Sequence, residues 1–439
     1  MISYWIKSSQ LKDGIFIPKY YDPSITAQLK ELSKTHNCLL LADLVANGYL
    51  ELATGDEIGK AAYGTGNIPF VRTSDISNWE LKTIPKQGVS EEIYKRYADK
   101  QDVQPGDILF VRDGTYLIGG NCFITKVDQK ILYQSHLLKF RIKKPKDISP
   151  YIIFLLLNSP IAQRQIRSFQ FTADIIDTLG QRINELVLPI PKDLEAIKRI
   201  AYKAMTLLEI RVRGKGFVKH CPFLIEETLE SGSIECFHKF NSLSLDEVEQ
   251  IIESDTVTSE FGSFQSTWYK SSKIMDGIYL PKYYDPTITK ELKRLASHCD
   301  LKSIGELKGE GIITYQTGDE IGKMAYGTGD IPFIRTSDFA NWEIKHDPKQ
   351  GVSEEIYEKY AEAEDLLPLD LFLVRDGTYL VGSSCIVTEE DSKSLFCGGL
   401  FKIRTLKPDH LSPYLLLGIM NAFIVKRQIR NKQFTRDVI

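Results

Sequence analysis

A chain of 439 residues, 43% hydrophobic and 26% charged, has material for two or three domains with cores of their own. Its net charge of −3 excludes a protein that coats nucleic acid through bulk positive charge, so any contact with phosphates or bases must come from placed arginines or from a partner subunit. No apolar run reaches the length of a membrane span, Met1–Lys7 lacks a signal pattern, and the seven cysteines show no C-x-x-C spacing, which together point to reduced thiols and the cytoplasm.

In chain order, Asp22-Pro23 predicts a helix start with a capping carboxylate and proline at the first turn, and Ile25, Leu29 and Leu32 then share one face. Gly64-Thr-Gly66 reads as a turn into a short strand, Ile68–Val71. Ser90 caps a helix over Glu91–Tyr97, and Pro105-Gly-Asp107 turns into a strand, Ile108–Val111. Asp113-Gly114 is a tight turn leading to a further strand through Gly119, and Leu132–Ile142 reads as one strand. Ser149-Pro150 opens a long apolar helix to about Arg167. After Leu186-Val-Leu-Pro-Ile-Pro191, a helix over Asp193–Arg213 places Leu194, Ile197, Ala201, Ala204 and Leu208 on a coiled-coil-like seam that needs a partner. Cys221–Phe264 is acidic and Ser-rich, with a short helix over Leu245–Ile252.

The chain then repeats itself. Thr54-Gly-Asp-Glu-Ile-Gly-Lys60 returns at Thr317–Lys323, a displacement of 263 residues that also carries Ile68–Asp75 onto Ile331–Asp338 and Val111–Leu117 onto Val374–Leu380. Roughly two-thirds of the aligned positions match, and so long a period means duplicated domains rather than a solenoid. The second copy stops at Asp437-Val-Ile439, aligned with Asp174-Ile-Ile176, so the counterpart of 177–213 is missing. These readings divide the chain into 1–190, a helical spacer and connector at 191–264, and 265–439. The mixture of strands bracketed by helices is α+β.

Three segments carry candidate binding groups. In Arg72-Thr-Ser-Asp-Ile-Ser-Asn-Trp79, strand alternation would aim Arg72 and Ser74 to one side, and with Asn78 they are suited to reading base edges; the twins are Arg335, Ser337 and Asn341. The alternative is that Asp75 and Asn78 build a turn and Trp79 fills the core. Arg112, Thr115 and Tyr116, with twins Arg375, Thr378 and Tyr379, would sit at a loop tip, unless Arg112 merely pairs with Asp113. Gln134 and His136 are polar readers that give way to Cys397 and Gly399 in the second copy. A metal-nuclease reading rests on Asp75, Glu80 and Lys82 with Asp338, Glu343 and Lys345, but the spacing is common on charged strands. His220-Cys221 with Cys236-x-His238 fits no common zinc site, and no phosphate-cradling or metalloprotease motif occurs. No catalytic residue, metal ligand or cofactor of this chain is therefore expected.

The succession Asn67-Ile-Pro-Phe-Val-Arg-Thr-Ser-Asp75, Pro105-Gly-Asp-Ile-Leu-Phe110, Ser135-His-Leu-Leu-Lys139 and Leu-Pro-Ile-Pro followed by a helix resembles a target recognition domain of the specificity subunit of Type I restriction-modification enzymes. Present twice, it covers nearly the whole chain. The resemblance implies two tandem recognition domains joined by a helical spacer, each reading half of a split double-stranded DNA site. It also implies a non-catalytic subunit that directs a DNA adenine methyltransferase, which itself uses S-adenosylmethionine, and a restriction (motor and nuclease) subunit. The methyltransferase would dock on the spacer through Leu194, Ile197, Ala201 and Leu208. The missing second spacer helix departs from the family pattern. The likeness of the two copies implies related half-sites, a near-palindromic target with a spacing set by the helix. The competing class is a stand-alone DNA-binding or metal-dependent nuclease defence protein built from duplicated recognition domains.

Overall fold

Strand Ile108–Val111 is buried on both faces, which is why it is written as an uninterrupted apolar run. It sits inside a four-stranded antiparallel sheet whose spatial order is Leu50–Thr54, Leu137–Ile142, Ile108–Val111, Asn121–Phe123. Ile108 and Phe110 face a core shared with helices Leu41–Ala46, Pro150–Leu157 and Pro160–Phe169, whereas Leu109 and Val111 pack with Val71, Leu81, Cys122 and Tyr133 on the other side. A second sheet sets Ile68–Val71 between Gly88–Val89, antiparallel, and Leu132–Tyr133, parallel. The structure is a computed structural model and describes the chain apart from residues 1–4, 13, 84, 115, 129, 174–175, 255–268, 276–277, 378 and 434–439.

By its contacts the chain divides into two compact units, Met1–Val212 and Arg213–Ile439, which share the stretch 191–264 between them. The second unit repeats both sheets at the same displacement: Ile313–Thr317, Leu400–Thr405, Leu371–Val374, Ser384–Ile386, and Gln350–Val352, Ile331–Ile334, Leu395–Phe396. The fold is thus α+β and duplicated. In the first unit His36–Leu40 also pairs with Val187–Pro191, so the Leu-Pro-Ile-Pro stretch is an edge strand, as its prolines require. The corresponding 299–303 of the second unit lies outside any strand.

Several words of the repeated motif are explained by backbone crossings. A Cβ on Gly55 would lie 2.2 Å from the Tyr133 carbonyl oxygen, and one on Gly318 would lie 2.0 Å from that of Phe396. Only glycine lets these strands cross so closely. The Asn78-Trp79 pair forms a two-residue turn between Ile76–Ser77 and Glu80–Leu81, with φ of 47° and 70°, and Asn341-Trp342 does the same at 52° and 68°. Positive φ at both central residues is the turn that matches strand twist.

Four elements differ from the sequence expectation. The apolar helix from Ser149-Pro150 is two helices, because Ser159 caps and Pro160 starts a new one. Among the described residues no strand runs from Asp113-Gly114 to Gly119; the next is Asn121–Phe123. Leu132–Ile142 is two strands separated by residues 134–136. The helix expected to end near Arg213 continues as Leu194–Ser231, through Gly214, Gly216 and Pro222. Burial of Cys221 and Ile225 against Ile288, Leu295 and Ile424 offsets the poor helix propensity of that stretch.

Candidate nucleic-acid interface

Three strand ends converge in each unit. Gln134 N–H donates to the Val71 carbonyl, one residue before Arg72, and the His136 carbonyl accepts from Arg112 and Asp113 N–H at 3.0 and 3.3 Å. The second unit copies this framework: Cys397 N–H donates to Ile334, and the Gly399 carbonyl accepts from Arg375 and Asp376 at 3.0 and 3.3 Å. The Arg-Thr-Ser-Asp turn, the Arg-Asp-Gly-Thr loop and the 134–136 turn therefore lie side by side, although Arg72 and His136 are 64 residues apart in sequence. Gln134 and His136 belong to a turn, not to the strand expected there.

The 134–136 turn is braced from behind. Gln101 closes the C-terminal end of helix Glu91–Gln101 and holds both backbone groups of Tyr133, accepting from its N–H at 2.8 Å and donating to its carbonyl at 2.9 Å; it also donates to Asp56 at 3.0 Å. Buried Lys139 donates to the Gln101 and Asp102 carbonyls, satisfying the helix end. The twin of Gln101 is Glu364, which accepts from Phe396 and Asp319 N–H at 2.9 and 3.1 Å.

Within this frame Arg72 does not alternate with Ser74 as a strand would have it, because Thr73–Asp75 is a 3-10 turn. Asp75 is buried and accepts from the N–H of Arg72 at 2.9 Å and of Lys86 at 3.2 Å, so it builds the turn. Among the described residues the buried Nε of Arg72 has no hydrogen-bond partner. In the second unit Arg335 Nε instead reaches Asp338 at 3.1 Å. Ser74 and Ser337 are half-buried beside these arginines. Asn78 and Asn341 are turn residues in the left-handed region, a structural role that the sequence left open. Trp79 lies edge-on to Phe154 and Trp342 edge-on to Phe217.

Arg112 is paired: its Nε and Nη2 donate to Asp113, Nη2 at 2.7 Å. Asp113 also accepts from Thr178 Oγ1 at 2.5 Å and lies 3.2 Å from His136 Nδ1. Burial pushes its carboxyl upward, but the bonds from Arg112, Thr178 and His136 together hold it below the usual carboxylate range. In the second unit Arg375 pairs with Asp376 at 2.6 Å, in a more exposed setting. Tyr116 and Tyr379 follow these loops, each with its carbonyl held by an arginine of the helix behind, Arg167 and Arg430. Thr115 and Thr378 lie outside the described residues. Gln134 is buried and reaches Glu57 at 3.4 Å, and Ser135 donates to the same carboxylate. A Cβ on Gly399 would lie 3.0 Å from the Thr336 methyl, so the second unit has little room for side chains at the turn.

In the first unit the carboxylates of the nuclease reading are committed elsewhere. Glu80 is buried and pairs with Arg211 of the long helix at 3.2 Å, while Glu343 is exposed. Among the described residues no three His, Cys, Asp or Glu side chains gather where a metal ion could be held. Cys236 bonds to the Leu224 carbonyl and His220 stacks on Phe240.

The seam residues do not present one face outward. Leu208 is 9% exposed and belongs to the first unit's own core, with Ala204 also buried, whereas Leu194 is exposed and Ile197 and Ala201 are half-covered. Besides Leu194 and Tyr202, the apolar positions left uncovered on this helix before Val212 include Ile200, Leu207 and Ile210, with Leu207 57% and Ile210 59% exposed. The sequence carried this second stripe, at spacings of seven and three, beneath the more regular one.

No family model matches the chain, and no curated protein matches it. Among solved structures it is similar over most of its length to the S subunit of a Type I restriction-modification system from M. genitalium, with 10% identity, 90% of this chain and 79% of that one covered, and a TM-score of 0.33. It is similar too to the HsdS subunit from Thermoanaerobacter tengcongensis, with 14% identity, coverages of 91% and 80%, and a TM-score of 0.24. The type IIG restriction endonuclease BpuSI matches 43% of this chain and 28% of its own, at 11% identity and a TM-score of 0.31. No described helix is long and apolar enough to cross a membrane.

Proposed function

We propose that the chain is a non-catalytic, sequence-specific DNA-recognition subunit that places a partner adenine methyltransferase, and with it a restriction subunit, on a split double-stranded site. The observation that supports it most directly is the duplicated convergence of an arginine turn, an Arg-Asp loop and a variable turn on one scaffold. Forked donors held by a rigid frame suit base edges and phosphates. The frame is common to both units, while the turn is Gln-Ser-His in one and Cys-Gly-Gly in the other, so the two half-sites are related but distinguishable. The uncovered Ile200, Leu207 and Ile210 stripe is the surface on which the methyltransferase would dock, in place of the buried Leu208.

Modification-sensitive sequencing of the host genome with and without the gene tests the reading: a split methylated motif should vanish on deletion. Arg112→Ala is expected to weaken one half-site by about 1–3 kcal/mol at one base position if the side chain reads a base. An equal loss on unrelated duplexes would make it a phosphate contact, and no loss in a binding titration would remove Arg112 from the interface.

A further inference from the structure

Outside the reader turns, both units carry the same stapled loop with an uncovered aromatic at its tip. In the first, Tyr21 OH accepts from Lys12 N–H at 2.9 Å and donates to the Ile15 carbonyl at 2.9 Å, closing a ring of backbone below Phe16. In the second, Tyr284 OH accepts from Met275 N–H at 2.9 Å and donates to the Ile278 carbonyl at 2.8 Å below Tyr279. Phe16 and Tyr279 are each 78% exposed. A single exposed aromatic needs no explanation. The same tip, held by the same phenol in two copies that differ at many other positions, asks for one.

The loop is mounted beside the readers. The Tyr20 ring packs on Phe169 and Phe171 at 6.0 and 5.8 Å. Phe171 is the cross-strand partner of Thr178, whose hydroxyl holds Asp113. Helix Pro160–Phe169, which ends at the Tyr20 contact, also holds the Tyr116 carbonyl through Arg167. Tip and Arg112 loop thus share one support. An exposed lysine follows each tip, Lys19 and Lys282.

We infer that Phe16 and Tyr279 are wedges that pack against DNA bases or sugars next to the positions read by each unit, with Lys19 and Lys282 on the adjoining phosphates. An aromatic on a backbone already fixed loses little freedom on binding, and its face accepts any base, so the contact adds affinity with little sequence preference. This rests on the DNA-recognition reading above. The acidic flank at Glu185 does not oppose it, because that carboxylate already takes Lys12 at 3.0 Å and Tyr20 OH at 2.5 Å.

The test uses the full chain and a duplex it enriches from a random library. Phe16→Ala is expected to weaken binding about 5- to 100-fold, Phe16→Trp to bind like the parent, and Lys19→Ala to lower the salt slope by about one. Thermal unfolding of all three should match the parent, since neither side chain is buried. If Phe16→Ala and Tyr279→Ala bind as tightly as the parent while Arg112→Ala does not, the wedge is overturned and DNA recognition stands. If the parent enriches no duplex, both readings fall. Loss of a protein subunit with DNA affinity unchanged would reassign the loops to that subunit.

Discussion

At pH 8, replacing Glu364 with glutamine is expected to stabilise the second unit by about 3 kcal/mol, a gain that shrinks towards zero by pH 4. Glu364 is 1% exposed. Burial first, and then the nearby charge of Asp319, push its carboxyl up, against the N–H donors of Phe396 and Asp319 and the charge of Lys402, to about 7. In the unfolded chain the same group ionises near its ordinary value of 4.5. Between those two values the folded unit keeps a proton that the unfolded chain has released, so stability declines by about 1.4 kcal/mol per pH unit and levels off above 7. The first unit shows that an amide fits, since Gln101 engages Tyr133 and Asp56 from the same position. Denaturant unfolding of both proteins from pH 4 to 8, with hydrogen exchange on the strand Leu400–Thr405 to localise the change, measures it. Parallel stability curves would show that Glu364 is not the titrating group.

The second large effect concerns specificity. Changing Gln134→Cys, Ser135→Gly and His136→Gly together is expected to give the first unit the base preference of the second, with a loss of about 1–3 kcal/mol on its original half-site for each bidentate base contact removed. The turn should survive, because its register is held by main-chain bonds from Gln134 to Val71 and from Arg112 and Leu137 back to the turn. Asp113 keeps Arg112 and Thr178 after His136 is gone. Selection from a random duplex library reads the outcome, and an unchanged preference would place specificity elsewhere. The reverse exchange is less clean, given the crowding of Gly399 by Thr336.

Much of the scaffold was legible because it depends on local signals. Asp22 caps its helix at 2.9 Å from Ser24 N–H, Ser90 accepts from Ile93 N–H, and the strands Ile68–Val71 and Ile108–Val111 fall where the apolar runs lie. The duplication itself was visible without any structure. What stayed hidden depends on distant partners. Gln134-Ser-His136 contains no glycine or proline to mark a turn, and the close crossing of Gly55 over the Tyr133 and Gln134 carbonyls leaves no local signal there. Pro222 and two glycines argue for the end of a helix that packing extends to Ser231. The Ser159-Pro160 cap, by contrast, was a local signal that the apolar run around it masked. Within the candidate site, the residue types of Arg72 and Arg112 marked two segments that the fold brings side by side, but the sequence left undecided whether Asp75 and Asn78 are readers or turn builders. Asp75 builds its turn through buried bonds to main-chain N–H groups, and Asn78 shapes its own through a positive φ.

The displacement of 263 residues has a kinetic side. Two sheets with matching strands in matching register offer each strand a second partner, the usual route to misassembly in tandem repeats. Synthesis separates them in time. The first four-stranded sheet is complete at Ile142, and its first duplicate strand begins only at Ile313. At about 5–20 residues per second the ribosome takes roughly 10–30 s to cross that interval, far longer than most small domains need to fold. The first copy can therefore close its sheet before a competing strand exists, a protection that a chain refolding from denaturant lacks.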